Sequence, residues 1–499
     1  MVNGSLSTPS ITNNGTTPIS YLLTGITDRI LEANNSSSLK RNNTNVNLNY
    51  NYTGNKGKSL VINADYGYYD LNTNQFQPNY YFTTTGSPID SVIYRMLSPT
   101  TIDISSVKAD YEQDFEKGKL GLGAKTAFVN TDNDFRRYDV VKTVEQLDIE
   151  RSNRFKYREN INAAYLNYNR ALKGIMIQAG LRAENTVSKG TSYGQKLSGT
   201  GYESNITGFD RNYVDFFPSA AVTFNKNPMK QWNFTYSRRI DRPAYQDLNP
   251  FEFKLDEYTF QKGNTDLRPQ YTNSFGITYT YKYKLNTTLN YSHVKDIFTV
   301  LIDTAEKSKT FISKRNLATQ DITSLNLSYP IAYKRFSSFI NLNTYYSMYR
   351  ADFGSGRLVN LKSFGLSFYS QNSLKFGKTK LWTAELTGFY NAPTIYQGAF
   401  KAKTLWSVDA GVQKQILKGK GTVKASFSDV FHSLKFIGET NFAGQSTKVS
   451  STWESQQLKF SFSLRFGSNT VKAAKQRNAG SDDETKRVQQ GGGGLGISQ

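Results

Sequence analysis

The sequence predicts an all-β fold, a transmembrane antiparallel meander β-barrel, and three observations carry that reading. Aromatic residues make up 14% of the chain, with 33 Tyr and 32 Phe against only 12 Pro, and aromatic rings pack well on a pleated surface. Long segments alternate apolar and polar residues with a period of two. The connections between those segments alternate short and long, as they do between the two rims of a membrane barrel. The length of 499 residues leaves the domain count open, because large barrels exceed the usual domain size as single units.

The clearest strand is LKFSFSLRF, where Leu458, Phe460, Phe462, Leu464 and Phe466 share one face and Lys459, Ser461, Ser463 and Arg465 the other. The same rhythm places Val46, Leu48, Tyr50 and Tyr52 together, and likewise Ile175, Ile177, Ala179 and Leu181. It recurs at Trp232, Phe234 and Tyr236, and at Leu285, Thr287, Leu289 and Tyr291. About seventeen such segments can be drawn, most of them ten residues or longer; a tilted strand crossing a bilayer needs roughly 9 to 11 residues, a globular strand about 5 to 6. Their opposite faces carry Asn, Ser, Thr, Lys, Asp and Glu, which suits a wet or protein-filled lumen.

The short connections from residue 41 onward are TGNKGK, EKGK, NRALKG, NKNPMK, YKYKL, YKRF, FGKTK and LKGKG. Long ones at 71–100, 131–153, 187–211 and 240–270 alternate with them, followed by shorter loops near 304, 353, 394 and 444. A Greek-key sandwich has no reason to keep that order.

The formal charge of +21 raises nucleic acid as a partner, but much of the Lys and Arg collects in the short turns along one rim. Nucleic-acid binding wants a continuous basic groove with stacking aromatics, so none is expected. With no Cys and two His, a disulfide framework, a Cys/His zinc site and a Cys nucleophile are excluded. His293 and His432 read as plain strand positions. Mean hydropathy is −0.56 and no apolar run of about 18 residues exists, which excludes a transmembrane helix but not barrel strands. The first residues, MVNGSLSTPSITNNGTTP, lack the features of a signal peptide.

An odd meander brings its first and last strands together in parallel, against the even counts of bacterial barrels, and an open edge in lipid leaves backbone groups unpaired. The expectation is therefore a barrel of about 22 strands, missing its front. Residues 1–40 read as a partial outer loop and strand connection, 41–467 as the barrel, and 468–499 as a disordered periplasmic tail, since mixed charge and a Gly run bury no core. On this orientation the short turns face the periplasm and the long loops the outside.

The stretch YSRRIDRPAYQDLNPFEFKLDEYTFQKGNTDLRPQYTNSFGITYTY resembles a segment of TonB-dependent receptors of the outer-membrane β-barrel family. That family carries Arg-Pro-x-Tyr-x-x-Leu-Asn-Pro-Phe, then Gly-Asn-x-x-Leu-x-Pro before a strand. Arg242, Pro243, Tyr245, Leu248, Asn249, Pro250 and Phe251 match the first element, and Gly263, Asn264, Leu267 and Pro269 the second. VDFFPSAAVTF, FSDVFHSLKF and the final strand ending near Phe466 extend the likeness over nearly the whole chain.

The resemblance implies a receptor that binds a small ligand (siderophore, oligosaccharide or peptide) at outer loops and admits it through a gated lumen. It also implies partners: outer-membrane lipid, a TonB energy-coupling complex engaged through a region ahead of residue 1, and a surface lipoprotein. The prolines keep the motif loop out of the sheet and Gly263 permits a turn. Packing over the barrel rim is the structural role of these residues; Arg242 and the rings of Tyr245, Phe253 and Tyr258 are the candidate ligand contacts.

Other motifs carry less. Asp132 and Asp134 in TDNDFRR lack the Gly and distant Glu of an EF-hand. GGGGLG lacks the Lys-Ser/Thr of a phosphate loop. The sequons at Asn233 and Asn290 fall within strands. No carboxylate pair stands out as an acid/base couple, so neither an enzyme nor a cofactor is expected. The alternatives are a passive porin-like or adhesin barrel and a soluble β-rich binding protein.

Overall fold

A computed structural model of the chain describes residues 2–8, 10–20, 26–55, 57–116, 118–250, 252–254, 259–303, 310–352, 358–396, 400–442, 445–452, 454–466 and 480–489. It is an antiparallel meander. Seventeen strands cross in sequence: Thr27–Thr53, Ser59–Phe82, Pro88–Phe115, Gly118–Val141, Asn153–Leu172, Ile175–Ser198, Gly201–Asn227, Lys230–Asp241, Gln270–Tyr281, Leu285–Asp303, Thr310–Tyr333, Phe336–Asp352, Leu358–Phe376, Trp382–Asn391, Leu405–Ile416, Gly421–Ser428 and Gln457–Leu464. Each pairs with the next. All eight short turns fall where the sequence puts them.

The ends differ from the sequence reading. Val2–Ser7 and Ser10–Ser20 lie antiparallel to Thr27–Thr53, from Val2 opposite Val46 to Ser20 opposite Thr27. They occupy one further strand position, and residues before 41 belong to the sheet. On the other side, Gln457–Leu464 pairs with Gly421–Ser428, and among the described residues its outer edge has no backbone partner.

Three of the long connections are not irregular either. The hairpin expected to open at residue 71 stays in register from Leu71 opposite Thr100 to Tyr81 opposite Asp90, and a bulge then brings Phe82 opposite Pro88. Similar extensions carry Gly118–Val141 and Ile175–Ser198 far past the length that crosses a bilayer. The reason lies in the residues: Asn, Thr, Gln and Tyr keep the period of two after the apolar face ends, and the backbone goes on pairing.

The pleat sorts the faces. On Ser59–Phe82, Asn63, Asp65, Tyr69 and Leu71 are buried toward the lumen, while Ile62, Tyr66 and Tyr68 are exposed outward. Leu48, Tyr50, Tyr52, Leu181, Trp232, Phe234, Leu289 and Tyr291 are outward and exposed as well. In the last strand Phe460 and Phe462 are 75% and 62% exposed, but its polar residues are also open because it is an edge.

The rim of short turns combines aromatics with lysines. Trp232 packs on Tyr279 with ring centres 4.6 Å apart, and Phe376 stacks on Trp382. Lys282 lies 5.1 Å over Tyr281, Lys334 5.2 Å over Tyr333 and Lys414 4.8 Å over Trp382. An apolar body with a charged tip suits the boundary between hydrocarbon and water.

Placing a cation on the outward face tests this assignment. Phe462→Arg is expected to lower folding stability in vesicles by roughly 2–4 kcal/mol if that position sits near the bilayer midplane, with Ser461→Arg close to neutral. Urea titration followed by the heat-modifiable gel shift measures both, and equal effects would reject the face assignment.

Candidate functional site, a loop folded into the lumen

The strand Lys230–Asp241 is far shorter than its predecessor Gly201–Asn227, and where it stops the chain turns into the barrel. Pro243 removes a donor the ladder would need. A 3₁₀ turn, Tyr245–Leu248, follows and sinks its apolar residues inward. Ala244, Tyr245 and Leu248 are all buried, and so is Leu267 from the second motif element. Tyr245, Leu248 and Leu267 join Tyr69, Leu71, Ile102, Ile104, Val129, Phe155 and Tyr157 from four neighbouring strands in one apolar cluster inside the lumen. The Tyr157 and Tyr245 rings meet at 5.5 Å.

The motif residues have physical tasks in that fold. A Cβ on Gly263 would lie 1.8 Å from the Asn249 carbonyl oxygen and 3.0 Å from that of Asp247, so only glycine permits this backbone approach. The neighbouring Asn264 amide donates to the Asp247 carbonyl at 2.7 Å. Its side-chain oxygen accepts from the Asp266 amide at 2.9 Å, and its nitrogen donates to the Lys314 carbonyl at 3.0 Å. That Asx turn aims Leu267 into the cluster. Asn249 ties the turn to two strands, donating to Asn133 and accepting from Asn153.

Charges hold the loop from its flanks. Arg242 donates to Glu184 at 2.7 Å and to Thr186 at 3.0 Å. Lys314 pairs with Asp247 at 2.8 Å, and the Arg211 guanidinium donates to the carbonyls of Thr265 and Leu267. Burial raises the Tyr245 hydroxyl above its ordinary range, leaving it a neutral hydrogen-bonding group.

The expectation of an exposed Tyr245 ring is thereby corrected: it is 1% exposed, because the short preceding strand sends the loop inward and not over the rim. Arg242 is half-buried and engaged. Phe253 lies in the short strand Glu252–Lys254, paired with Thr259–Lys262, which runs parallel beside Thr310–Tyr333. Tyr258 and Phe251 fall outside the described residues. Pro243 and Pro269 are buried and Pro250 half-buried.

The sequence reading missed a second part of this site. Within the tail expected to lack structure, Asp482–Gln489 forms a helix, and it sits in the lumen against the same cluster. Glu484 receives two hydrogen bonds from Lys125 at 2.9 and 3.0 Å, with both side chains almost fully buried. Arg487 pairs with Glu159, donates to the Pro243 carbonyl at 3.1 Å and lies 4.2 Å over the Tyr245 ring. Val488 enters the apolar cluster. The signal was present as Ser481-x-x-Glu484, the spacing of a capping box, with acids in the first turn and Lys486 and Arg487 in the last.

Among the charges singled out earlier, Asp132 is held by two hydrogen bonds from Arg154 at 2.7 and 2.8 Å. His293 stands in a strand, 2.8 Å from Asp321. His432 does not. It occupies a left-handed turn with φ 50°, because Asp429 gathers the chain there: its carboxylate accepts from the amides of Ser433 and Leu434 and from the Ser433 and Ser455 hydroxyls. Burial alone would raise the Asp429 pKa, but these hydrogen bonds outweigh it and hold the carboxyl at about 2.

Two outcomes follow. Gly263→Ala is expected to cost about 3 kcal/mol through overpacking, read as a lower urea midpoint, and an unchanged midpoint would reject the close approach. Because the folded Asp429 pKa is depressed, its stabilisation is complete above the unfolded value of about 4 and is lost as pH falls toward 2. The urea midpoints of wild type and Asp429→Asn should therefore differ at pH 7 and converge between about pH 4 and 2; a constant gap would reject this role.

Comparison with known proteins fits this architecture. The ferric yersiniabactin uptake receptor FyuA from Yersinia pestis is similar at 12% identity and TM-score 0.56, over 93% of this chain and 76% of that one. The copper transporter OprC is similar at 11% identity and TM-score 0.55, over 93% and 79%. The FrpB iron transporter from Neisseria meningitidis is similar at 10% identity and TM-score 0.51, over 93% and 81%. At these identities the likeness is one of fold. No curated protein sequence matches the chain. The model of the outer membrane protein beta-barrel family matches residues 51–464, most of the chain, and the protein therefore belongs to that family of the cell outer membrane.

Proposed function

We propose that this barrel is the translocating portion of a TonB-dependent receptor, which captures a small ligand at its long loops and admits it through the lumen when the energy-coupling partners are engaged. The carrying observation is the motif loop folded into the lumen, where Tyr245, Leu248 and Leu267 pack on four strands while Arg242, Asp247 and Asn249 hold the loop by polar contacts. A passive pore conducts through a lumen that stays open. A gated one needs a segment that closes the lumen and has defined partners to exchange.

The named activities of the structural neighbours, ferric siderophore uptake, copper transport and iron transport, agree with a compact ligand. A siderophore, oligosaccharide or peptide fits this reading. In it the long-loop rim faces outside the cell and the basic short-turn rim faces the periplasm. The deep aromatic and polar contacts then belong to gating, and first capture falls to the outer hairpins above them.

Uptake in cells expressing the intact gene tests the proposal with a panel of radioiron siderophores, fluorescent oligosaccharides and labelled peptides. At least one probe should accumulate only in a host with functional TonB and a charged inner membrane. Accumulation that persists after a protonophore, together with wide ohmic conductance of the purified protein, would replace this reading with a passive porin.

A further inference from the structure

The helix Asp482–Gln489 has an unusual buried face. Ser481, Glu484, Arg487 and Val488 are buried, whereas Asp483 and Lys486 are exposed, so the inward stripe follows the helical spacing of three to four residues yet half of it is charged. Each buried charge meets a built partner. Lys125, 4% exposed at its side chain, faces Glu484. Glu159, 2% exposed at its side chain, faces Arg487 and also accepts from the Tyr157 hydroxyl at 2.7 Å. The guanidinium is further bracketed by the Pro243 carbonyl and the Tyr245 face. At the helix start the Gly480 amide donates to Asp65 at 2.9 Å, and midway the Tyr69 hydroxyl lies 3.4 Å from the Thr485 hydroxyl.

We propose that this lumen seat is a peptide-binding site for a helix carrying a carboxylate and a guanidinium one turn apart, and that its resident, the chain's own C-terminal helix, closes the lumen as a releasable latch. The seat touches Pro243 and Tyr245 of the motif loop, so the helix and the loop close the lumen as one unit. The balance of forces makes release feasible. Val488 is the helix residue in the apolar cluster, so little apolar area holds the latch. Buried ion pairs offset most of their attraction by desolvation, giving selectivity for the matching peptide without a deep energy well. The inference stands apart from energised import, since such a latch closes a passive barrel equally well.

The test uses the full chain in phosphatidylcholine vesicles, with folding checked by heat-modifiable migration. The sequence has no cysteine, and a Cβ at Gly480 would lie 3.3 Å from the Ser106 hydroxyl oxygen, with the movable end of Asp65 at 2.7 Å and the Lys108 Cβ at an ordinary contact distance of 3.5 Å. Ser106→Cys with Gly480→Cys should form a disulfide on mild oxidation and keep arabinose-driven vesicle swelling slow. Deleting residues 480–499 should speed swelling several-fold, and a synthetic peptide of residues 480–490, present on both sides of the membrane, should slow it again. The same peptide with Arg487→Glu should not. Lys125→Glu alone should open the full chain, and adding Glu484→Lys should close it. Failure of the folded double-cysteine protein to cross-link, or unchanged swelling after the deletion, would overturn the latch.

Discussion

The constraint on which the rest depends is the satisfaction of backbone hydrogen bonds where no water is present. In hydrocarbon every unpaired N–H or C=O costs several kcal/mol, so each of the seventeen crossing strands pairs antiparallel with the next, from Thr27–Thr53 to Gln457–Leu464, and the motif loop's irregular backbone is kept to the lumen. Side-chain chemistry follows from that ladder. Alternate residues must face acyl chains, which admits Phe, Leu, Tyr and Trp, while the intervening ones face the interior and are free to be Asn, Asp, Lys or Glu. The extension of several strands past the membrane uses the same ladder with a changed outer face.

A barrel of this circumference leaves a lumen too wide for its own wall side chains to fill. The chain fills part of it with backbone, which brings its own polar groups inside. The motif loop answers that demand locally: Asn264 caps one turn, Asn249 bridges two strands, and Arg211 satisfies the carbonyls of Thr265 and Leu267. Only then does burial of Tyr245, Leu248 and Leu267 stabilise the arrangement, by roughly 1.5–3 kcal/mol for each large side chain. Gly263 is indispensable because it lets two backbone segments approach closely enough for the Asn264 amide to reach the Asp247 carbonyl.

Much of this was legible in the sequence, and the reasons for the exceptions are physical. Strand periodicity and the lysine-rich short turns depend on local pattern, so they identified the meander and its eight tight turns. The family motif marked the loop, but its direction depended on the length of the strand before it, a tertiary quantity that turned Tyr245 inward. Residues 71–100 read as loop because Asn and Thr suggest turns, yet alternation persists through them and pairing follows. His432 sits in a turn set by Asp429, whose partner Ser455 is remote in sequence. The helix at 482–489 escaped notice because its buried face is ionic, and composition rules recognise cores by apolar residues.

That last exception shows how the lumen differs from an ordinary core. In a soluble domain the helix Asp482–Gln489, with one apolar residue inside, would stay in water, since two buried charges cost more to desolvate than Val488 returns. Here the wall is already polar: Lys125 and Glu159 project inward because the pleat requires it, and each is a charge that must find a partner or keep its water. An incoming carboxylate and guanidinium relieve two desolvated charges at once, so the cost is shared between wall and helix and the net association is modest. Apolar packing through Tyr69, Tyr157 and Tyr245 fixes where the segment lies, and the paired charges fix which segment it is. A lumen organised this way selects its occupant by charge spacing and still lets it go.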